Sequence, residues 1–194
     1  MSKLILASKS PRRRELMEKL RVPFSCEPAK GEEIIPAGTP VEKVAGILSR
    51  QKAEEVFHNH PGEDVTVIGS DTIVVNDGVI YGKPKTEADA AKMLKSLSGK
   101  THQVLTGVTI RTREKTESFT SKASVSFFDL SEEQIRAYIA TGEPMDKAGA
   151  YGIQGQGALL VEKINGDFYT VMGFPIGEVA RRLQKAGIIT WETQ

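Results

Sequence analysis

Three consecutive arginines, Arg12 to Arg14, follow Ser10-Pro11 where a helix should begin. Serine as N-cap and proline at the first helical position are strong start signals, which puts the arginines at the second to fourth positions. That end of a helix already carries about half a positive charge, so each cation there is opposed by roughly 0.3–1 kcal/mol unless an anion arrives. Other chemistry-bearing residues stand singly along the chain: Glu32 and Glu33, Lys52, Asp71, Lys83, Asp146-Lys147 and Gln154. Each has an ordinary reading as well. Lysines and arginines are solvated on most surfaces, Glu32-Glu33 reads as loop charge, Asp71 as a turn acid, and Lys52 as a lysine whose stem lies along the core edge. Taken together, several cations with two or three carboxylates and no Ser-His-Asp arrangement suit phosphoryl chemistry. The cations offset charge spread over phosphate oxygens, and the carboxylates hold a divalent ion and orient water.

Two glycine-rich stretches do not qualify as nucleotide-binding signatures. "GVIYGKP" has one residue too few between its glycines for a phosphate-binding loop and carries Pro84 where Ser or Thr should follow the lysine. "GAYGIQGQG" has the wrong glycine spacing for a dinucleotide fingerprint and follows a loop instead of a strand. His58 and His60, two apart near a helix end, read as solvated surface residues and not as a metal pair.

At 194 residues, 39% hydrophobic and 26% charged, the chain can bury a sizeable core as one large domain or two tightly joined lobes. Lysine plus arginine (26) nearly cancels aspartate plus glutamate (25), so no chain-wide field would hold it on nucleic acid or an anionic membrane. Any anion site is local. The single Cys26 cannot form an internal disulfide, and no apolar stretch approaches the roughly 18–20 residues that span a bilayer. A reducing cytoplasm is the expected setting. The Ser- and Arg-rich start has no acid before Glu15 and so has a transit-peptide flavour, but strand, turn and helix in succession are how an α/β domain begins.

The elements that must position these residues follow from periodicity. Leu4 to Ala7 reads as a buried strand, and Leu16, Met17 and Leu20 as one side of the first helix. Pro23 to Cys26 predicts a short strand, Glu27 to Pro40 an acidic loop, and Val41 to His58 a helix whose apolar face is extended by Lys52. "VTVIGSDTIVV" (65–75) is β-branched on both sides of Gly69-Ser70-Asp71-Thr72, so Asp71 is expected at a strand end, with a hairpin turn at Asn76-Asp77-Gly78. Thr86 caps a helix through Leu97, and His102 to Thr112 with Thr116 to Phe128 predicts a long hairpin. Ser131 opens another helix, a Gly-rich loop runs from Gly142 to Gly157, a hairpin is expected over Asn165-Gly166, and a last helix spans Pro175 to Ala186.

Five blocks in order, "LASKSPRR" (6–13), "GSDT" (69–72), "YGKP" (81–84), "LSGKTHQVLTGV" (97–108) and "EPMDKAGAYGIQGQG" (143–157), resemble the Maf family of nucleoside triphosphate pyrophosphatases over essentially the whole chain. The resemblance implies a single α/β domain over 1–194, similar to the inosine triphosphatase fold. That fold is an elongated, bent mixed sheet flanked by helices, with two lobes and a central cleft. It also implies a homodimer, a magnesium or manganese ion, and hydrolysis between the α- and β-phosphates.

Carried over residue by residue, Asp71 matches the proton acceptor and a metal-side carboxylate. Ser8, Arg12, Arg13, Lys52, Lys83 and Lys147 match positions that hold the triphosphate, Lys83 and Lys147 acting with Asp71 in catalysis. Glu32 matches the second metal-side carboxylate, with Glu33 as its adjacent competitor. Arg12, Thr72 and Gln154 together resemble the branch acting on dTTP and UTP rather than on a methylated guanine nucleotide. A carboxamide at Gln154 can accept from the ring N–H of uracil or thymine and donate to a neighbouring carbonyl, whereas cytosine presents an acceptor there. Two rival functions remain at this point. One is a nucleotide-sensing regulator of septum formation. The other is nucleic-acid binding through Arg12 to Arg14, against which the near-neutral charge and the lack of an aromatic, basic surface motif argue.

Overall fold

The computed structural model describes residues 2–190. Strand β1 (Lys3–Ala7) is buried after its first residue because parallel neighbours flank both edges. This is the burial that a continuous apolar run requires. On one side β2 (Phe24–Cys26) pairs with Leu4 to Leu6, and on the other β3 (Val65–Asn76) pairs with Lys3 to Ala7, Ala7 lying opposite Gly69.

β3 departs from the sequence expectation. It is one strand of 12 residues that does not break at Gly69-Ser70-Asp71-Thr72, so Asp71 sits within a strand and not at its end. Turn-like residue types occur there because a helix backbone and polar partners meet the strand at that point. β3 then turns through Asp77 and Gly78, both at positive φ, into the antiparallel β4 (Val79–Tyr81). That is the two-residue hairpin geometry its sequence predicts. With β5 (Thr101–Arg111), β6 (Thr116–Phe127) and β7 (Val161–Asn165) the sheet has the order β2-β1-β3-β5-β6-β7, β4 pairing with β3 off that path.

The chain forms two compact units, one comprising the described residues up to Asp71, Thr106–Thr120 and those from Gly173 on, the other Thr72–Leu105 and Ser121–Met172. In the first unit α1 (Pro11–Glu18) starts as expected, with Ser10 accepting from the Arg13 amide at 3.4 Å. α2 (Val41–His58) buries Val44, Ala45, Leu48, Ala53 and Val56, and Ile5, Ala7, Val65 and Val67 pack with Ala53 and Val56. α6 (Ile176–Lys185) buries Ile176, Val179, Ala180 and Leu183, the spacing of one helical face.

In the second unit α3 (Glu87–Leu97), capped by Thr86, and α4 (Glu132–Ala140), closed by a Ser131–Gln134 capping box, cover a core of Val74, Leu94, Val104, Phe127, Ile135 and Tyr151. His102 lies in that core edge-on to Phe127 and Tyr151, its Nε2 2.7 Å from the Tyr151 hydroxyl. Burial lowers the His102 pKa to about 4. The stretch after α4 is not a simple loop. It contains short 3-10 turns at Glu143–Asp146, Ala148–Ala150 and Gln156–Leu160. No hairpin forms over Asn165-Gly166, because the Asp167 carboxylate accepts from the Thr170 amide and hydroxyl and starts the helix α5 (Phe168–Met172) instead.

Candidate active site

Gly69 and Asp71 are two apart on β3 and therefore share one face of the strand. A Cβ on Gly69 would stand 2.2 Å from the Ser49 carbonyl oxygen and 2.8 Å from the Ala53 nitrogen, so α2 lies backbone-close to the strand only because that atom is missing. Lys52, between those contacts on the helix, thereby reaches Asp71. Its Nζ donates to Asp71 Oδ1 at 2.5 Å and forms an ion pair with Glu33 Oε1 at 2.8 Å. With 19% of its side chain exposed and two carboxylates on its ammonium, Lys52 is not a lysine with its head in water. Asp71 keeps Oδ2 without a hydrogen-bond partner among the described residues.

The loop that delivers Glu33 is held by the helix on either side of Lys52. Gln51 Oε1 accepts from the Ile34 amide at 3.0 Å while its Nε2 donates to the Ile34 carbonyl at 2.5 Å. One turn on, the Glu55 carboxylate accepts from the amides of Lys30 and Gly31. Of the adjacent acids the structure therefore brings Glu33 to the ammonium. Glu32 is exposed and makes no ion pair among the described residues.

At the start of α1, Arg13 Nε donates to the Gly173 carbonyl at 2.8 Å and its Nη1 to Ser8 Oγ at 3.5 Å. Ser70, on the face of β3 opposite Asp71, donates to the same carbonyl at 3.1 Å. Burial presses the Arg13 pKa down, the charges of Asp71 and Glu33 pull it up, and Arg12 pushes it down again. The guanidinium stays cationic, as arginine does throughout ordinary conditions. No acid stands in the first turn of α1. Arg12 is half-buried, and Arg14 is tied to Glu18 at 3.2 Å on the outside of the helix. Ser8, Arg12, Arg13, Glu33, Lys52 and Asp71 thus lie within one unit, with Arg13 under the fields of Arg12, Glu33 and Asp71.

Thr72, Lys83, Lys147 and Gln154 belong to the second unit. Thr72 is half-buried next to Asp71 in β3, and Lys83 is exposed just after β4, where the Gly82 carbonyl accepts from the Gly149 amide at 3.1 Å. Lys147 has only 13% of its side chain exposed and donates to the Glu143 carbonyl and to Asp146 Oδ1, both at 2.7 Å. Gln154 is exposed and makes no side-chain hydrogen bond among the described residues. His60 differs from its solvated reading, since its ring nitrogens meet Glu27 at 2.7 Å and Glu63 at 3.0 Å. Sequence reasoning missed Gln51, Glu55, Ser70 and Glu143. A faint signal existed for the first two, which flank Lys52 at helical spacing of four.

No three His, Cys, Asp or Glu side chains form a metal cage among the described residues. Asp71 and Glu33 nevertheless converge on one ammonium as hard oxygen donors. Magnesium is commonly held by one or two carboxylates with phosphate oxygens and water completing the shell, so this pair fits an ion that arrives with a phosphate ligand.

Residues 3–186 match the family described as Maf-like protein. The chain is 49% identical over 185 residues to the dTTP/UTP pyrophosphatase of Bacillus cytotoxicus, covering 95% of this chain and 96% of that one. To the dTTP/UTP pyrophosphatase of Bacillus velezensis it is 48% identical over 186 residues, covering 96% and 97%. Among solved structures, the Staphylococcus aureus Ham1 protein superposes with a TM-score of 0.54 at 15% identity, over 95% of this chain and all (100%) of that one. A HAM1 protein from Coxiella burnetii gives 0.51 at 14% identity with the same coverage, 95% and 100%. These two likenesses bear out the expected α/β fold with its mixed sheet and flanking helices.

Proposed function

Because the chain belongs to the Maf-like protein family, we propose that it hydrolyses dTTP and UTP to the nucleoside monophosphate and pyrophosphate. The names of relatives nearly half identical over almost the entire chain support that reaction, and the Asp71–Lys52–Glu33 cluster is the observation that carries it. Lys52 balances the charge of Asp71 and fixes its direction through Oδ1, which leaves Oδ2 to accept a proton from water. The water oxygen adds to the α-phosphorus, the bond from that phosphorus to the bridging oxygen breaks, and the electron pair leaves with pyrophosphate. Ser8, Arg12 and Arg13 at the start of α1 bind phosphate oxygens, the role that reconciles arginines with a helix N-terminus. Lys83 and Lys147 bind the phosphates of the departing group.

A divalent ion, magnesium or manganese, held by Asp71 and Glu33 would supply charge neutralisation at phosphate oxygens. Thr72, Arg12 and Gln154 set the preference for uracil and thymine. A homodimer in the cytoplasm, acting as one domain over 1–194, completes the reading. No helix among the described residues is long and apolar enough to cross a membrane.

The test is a screen of dTTP, UTP, dCTP, dGTP and methylated guanine triphosphates with magnesium or manganese, quantifying pyrophosphate and monophosphate together. Equal yields of both products from dTTP and UTP are expected. Tight dTTP binding with no pyrophosphate under either ion would overturn hydrolysis and favour a nucleotide-sensing regulator.

A further inference from the structure

The glycine-rich stretch from Gly152 to Gly157 carries Gln154 without a strand or α-helix to support it, yet its backbone is held on both sides of that residue. Glu143 does most of the holding. Its Oε2 accepts from the Gln156 amide at 2.9 Å, and its Oε1 accepts from the Gly157 amide at 3.2 Å and from the Tyr138 hydroxyl at 3.0 Å. Tyr138, a core residue of α4, in turn accepts from the Gly152 amide at 3.1 Å. The fit is close, since a Cβ on Gly155 would stand 2.3 Å from Glu143 Oε2. The main-chain carbonyl of the same Glu143 accepts from Lys147 Nζ at 2.7 Å. Amides before and after Gln154 are thus tied to one carboxylate–phenol pair, while the Gln154 carboxamide has no partner among the described residues.

We propose that Glu143 is a positioning residue for base selection: its carboxylate, backed by Tyr138, fixes the loop that presents Gln154 to a pyrimidine ring. The proposal rests on the reading of Gln154 as the group that meets the base. A carboxylate suits the task because it accepts from several backbone donors at once. An amide in its place has one oxygen and an NH₂ that cannot accept, so either Gln156 or Gly157 loses its acceptor.

The experiment compares kcat/KM for dTTP and dCTP in the unsubstituted chain, Glu143→Gln, Gln154→Ala and the double variant. Binding of non-hydrolysable α,β-methylene analogues of both nucleotides is measured alongside. The preference for dTTP is expected to fall about tenfold in either single variant, with the double variant no worse than either, because both act through one contact. Tyr138→Phe keeps the core ring and removes the hydroxyl, and should lower the same preference less. It also serves where Glu143→Gln does not fold. A preference within about twofold of the original in folded Glu143→Gln and Tyr138→Phe, alongside a clear change in Gln154→Ala, overturns the role of Glu143. An unchanged preference in Gln154→Ala overturns the proposal through its premise. Should the unsubstituted chain bind the analogues without turning over dTTP, hydrolysis fails as a reading and the binding ratios alone decide on Glu143.

Discussion

Gly69→Ala should disable the site without altering a single charged residue. The new Cβ would lie 2.2 Å from the Ser49 carbonyl oxygen and 2.8 Å from the Ala53 nitrogen, where real Cβ atoms essentially never come within 3.0 Å. Both neighbours are helix backbone, so no side chain can swing aside, and α2 must retreat by roughly 1 Å to restore normal contact. Overpacking of this kind costs about 1–3 kcal/mol. For a chain of this size that lowers the melting temperature by about 3–10 °C. The functional loss should exceed the loss of stability, because Lys52 rides on the same helix segment and its 2.5 Å contact with Asp71 opens as the segment moves. Misplacement by 1 Å at a reacting centre costs on the order of 10² in rate. The assay is pyrophosphate release from dTTP per mole of folded protein, well below the melting temperature, with thermal denaturation recorded in parallel. Gly177→Ala is the control, since a Cβ there meets nothing within 4 Å. It should leave activity unchanged and stability equal or slightly raised. If Gly69→Ala melts and turns over like the unsubstituted chain, the close approach of α2 does not place Lys52 against Asp71.

Asp71→Asn should fold normally and lose about 10²–10⁴ in kcat, the usual effect of removing a positioned acid–base group, and turnover within a few fold of normal would remove Asp71 from the mechanism. Glu33→Gln should weaken turnover much more than Glu32→Gln, since only Glu33 meets Lys52, and equal effects in steady-state assays would contradict that placement. Acid should weaken the fold through His102. The unfolded chain takes up its proton near pH 6.5 and the folded chain only near 4, so stability is lost as pH falls between those values, by roughly 3 kcal/mol in all. Urea unfolding at several pH values should show this slope in the parent and a shallower one in His102→Gln; parallel slopes would refute it.

What the sequence discloses is mostly what neighbouring residues decide among themselves. Ser10-Pro11, Thr86 and the Ser131–Gln134 box start helices through contacts three residues long, and Asp77-Gly78 closes a hairpin of its own. The errors arise where a distant partner outweighs local preference. Gly69-Ser70-Asp71 has the composition of a turn, but α2 requires the glycine, the Gly173 carbonyl takes the serine hydroxyl and Lys52 takes the aspartate, so the strand continues. Asn165-Gly166 carries hairpin chemistry that the Asp167 carboxylate overrides. Choosing between Glu32 and Glu33 depends on Gln51 gripping the Ile34 peptide 17 residues earlier, which no periodicity reveals. Most candidate residues stand out by type alone, with Ser8, Thr72 and the individual roles supplied by the family resemblance, and the geometry adds Gln51, Glu55, Ser70 and Glu143, whose importance lies only in what they touch.

The Gly173 carbonyl that accepts from both Arg13 and Ser70 also bears on how the protein is made. Arg13 precedes its acceptor by 160 residues and Ser70 by 103, and all of the second unit is encoded between Ser70 and that glycine. At a synthesis rate of about 5–20 residues per second, the arginine waits on the order of ten seconds for the atom that fixes it. Contacts so distant in sequence also close late in folding, because the entropy of the long loop must be lost before the contact forms. A ribosome stalled before Gly173 would carry a chain whose second unit is complete in sequence and whose first cannot yet hold Arg13 in place. That guanidinium is among the first side chains made and among the last secured.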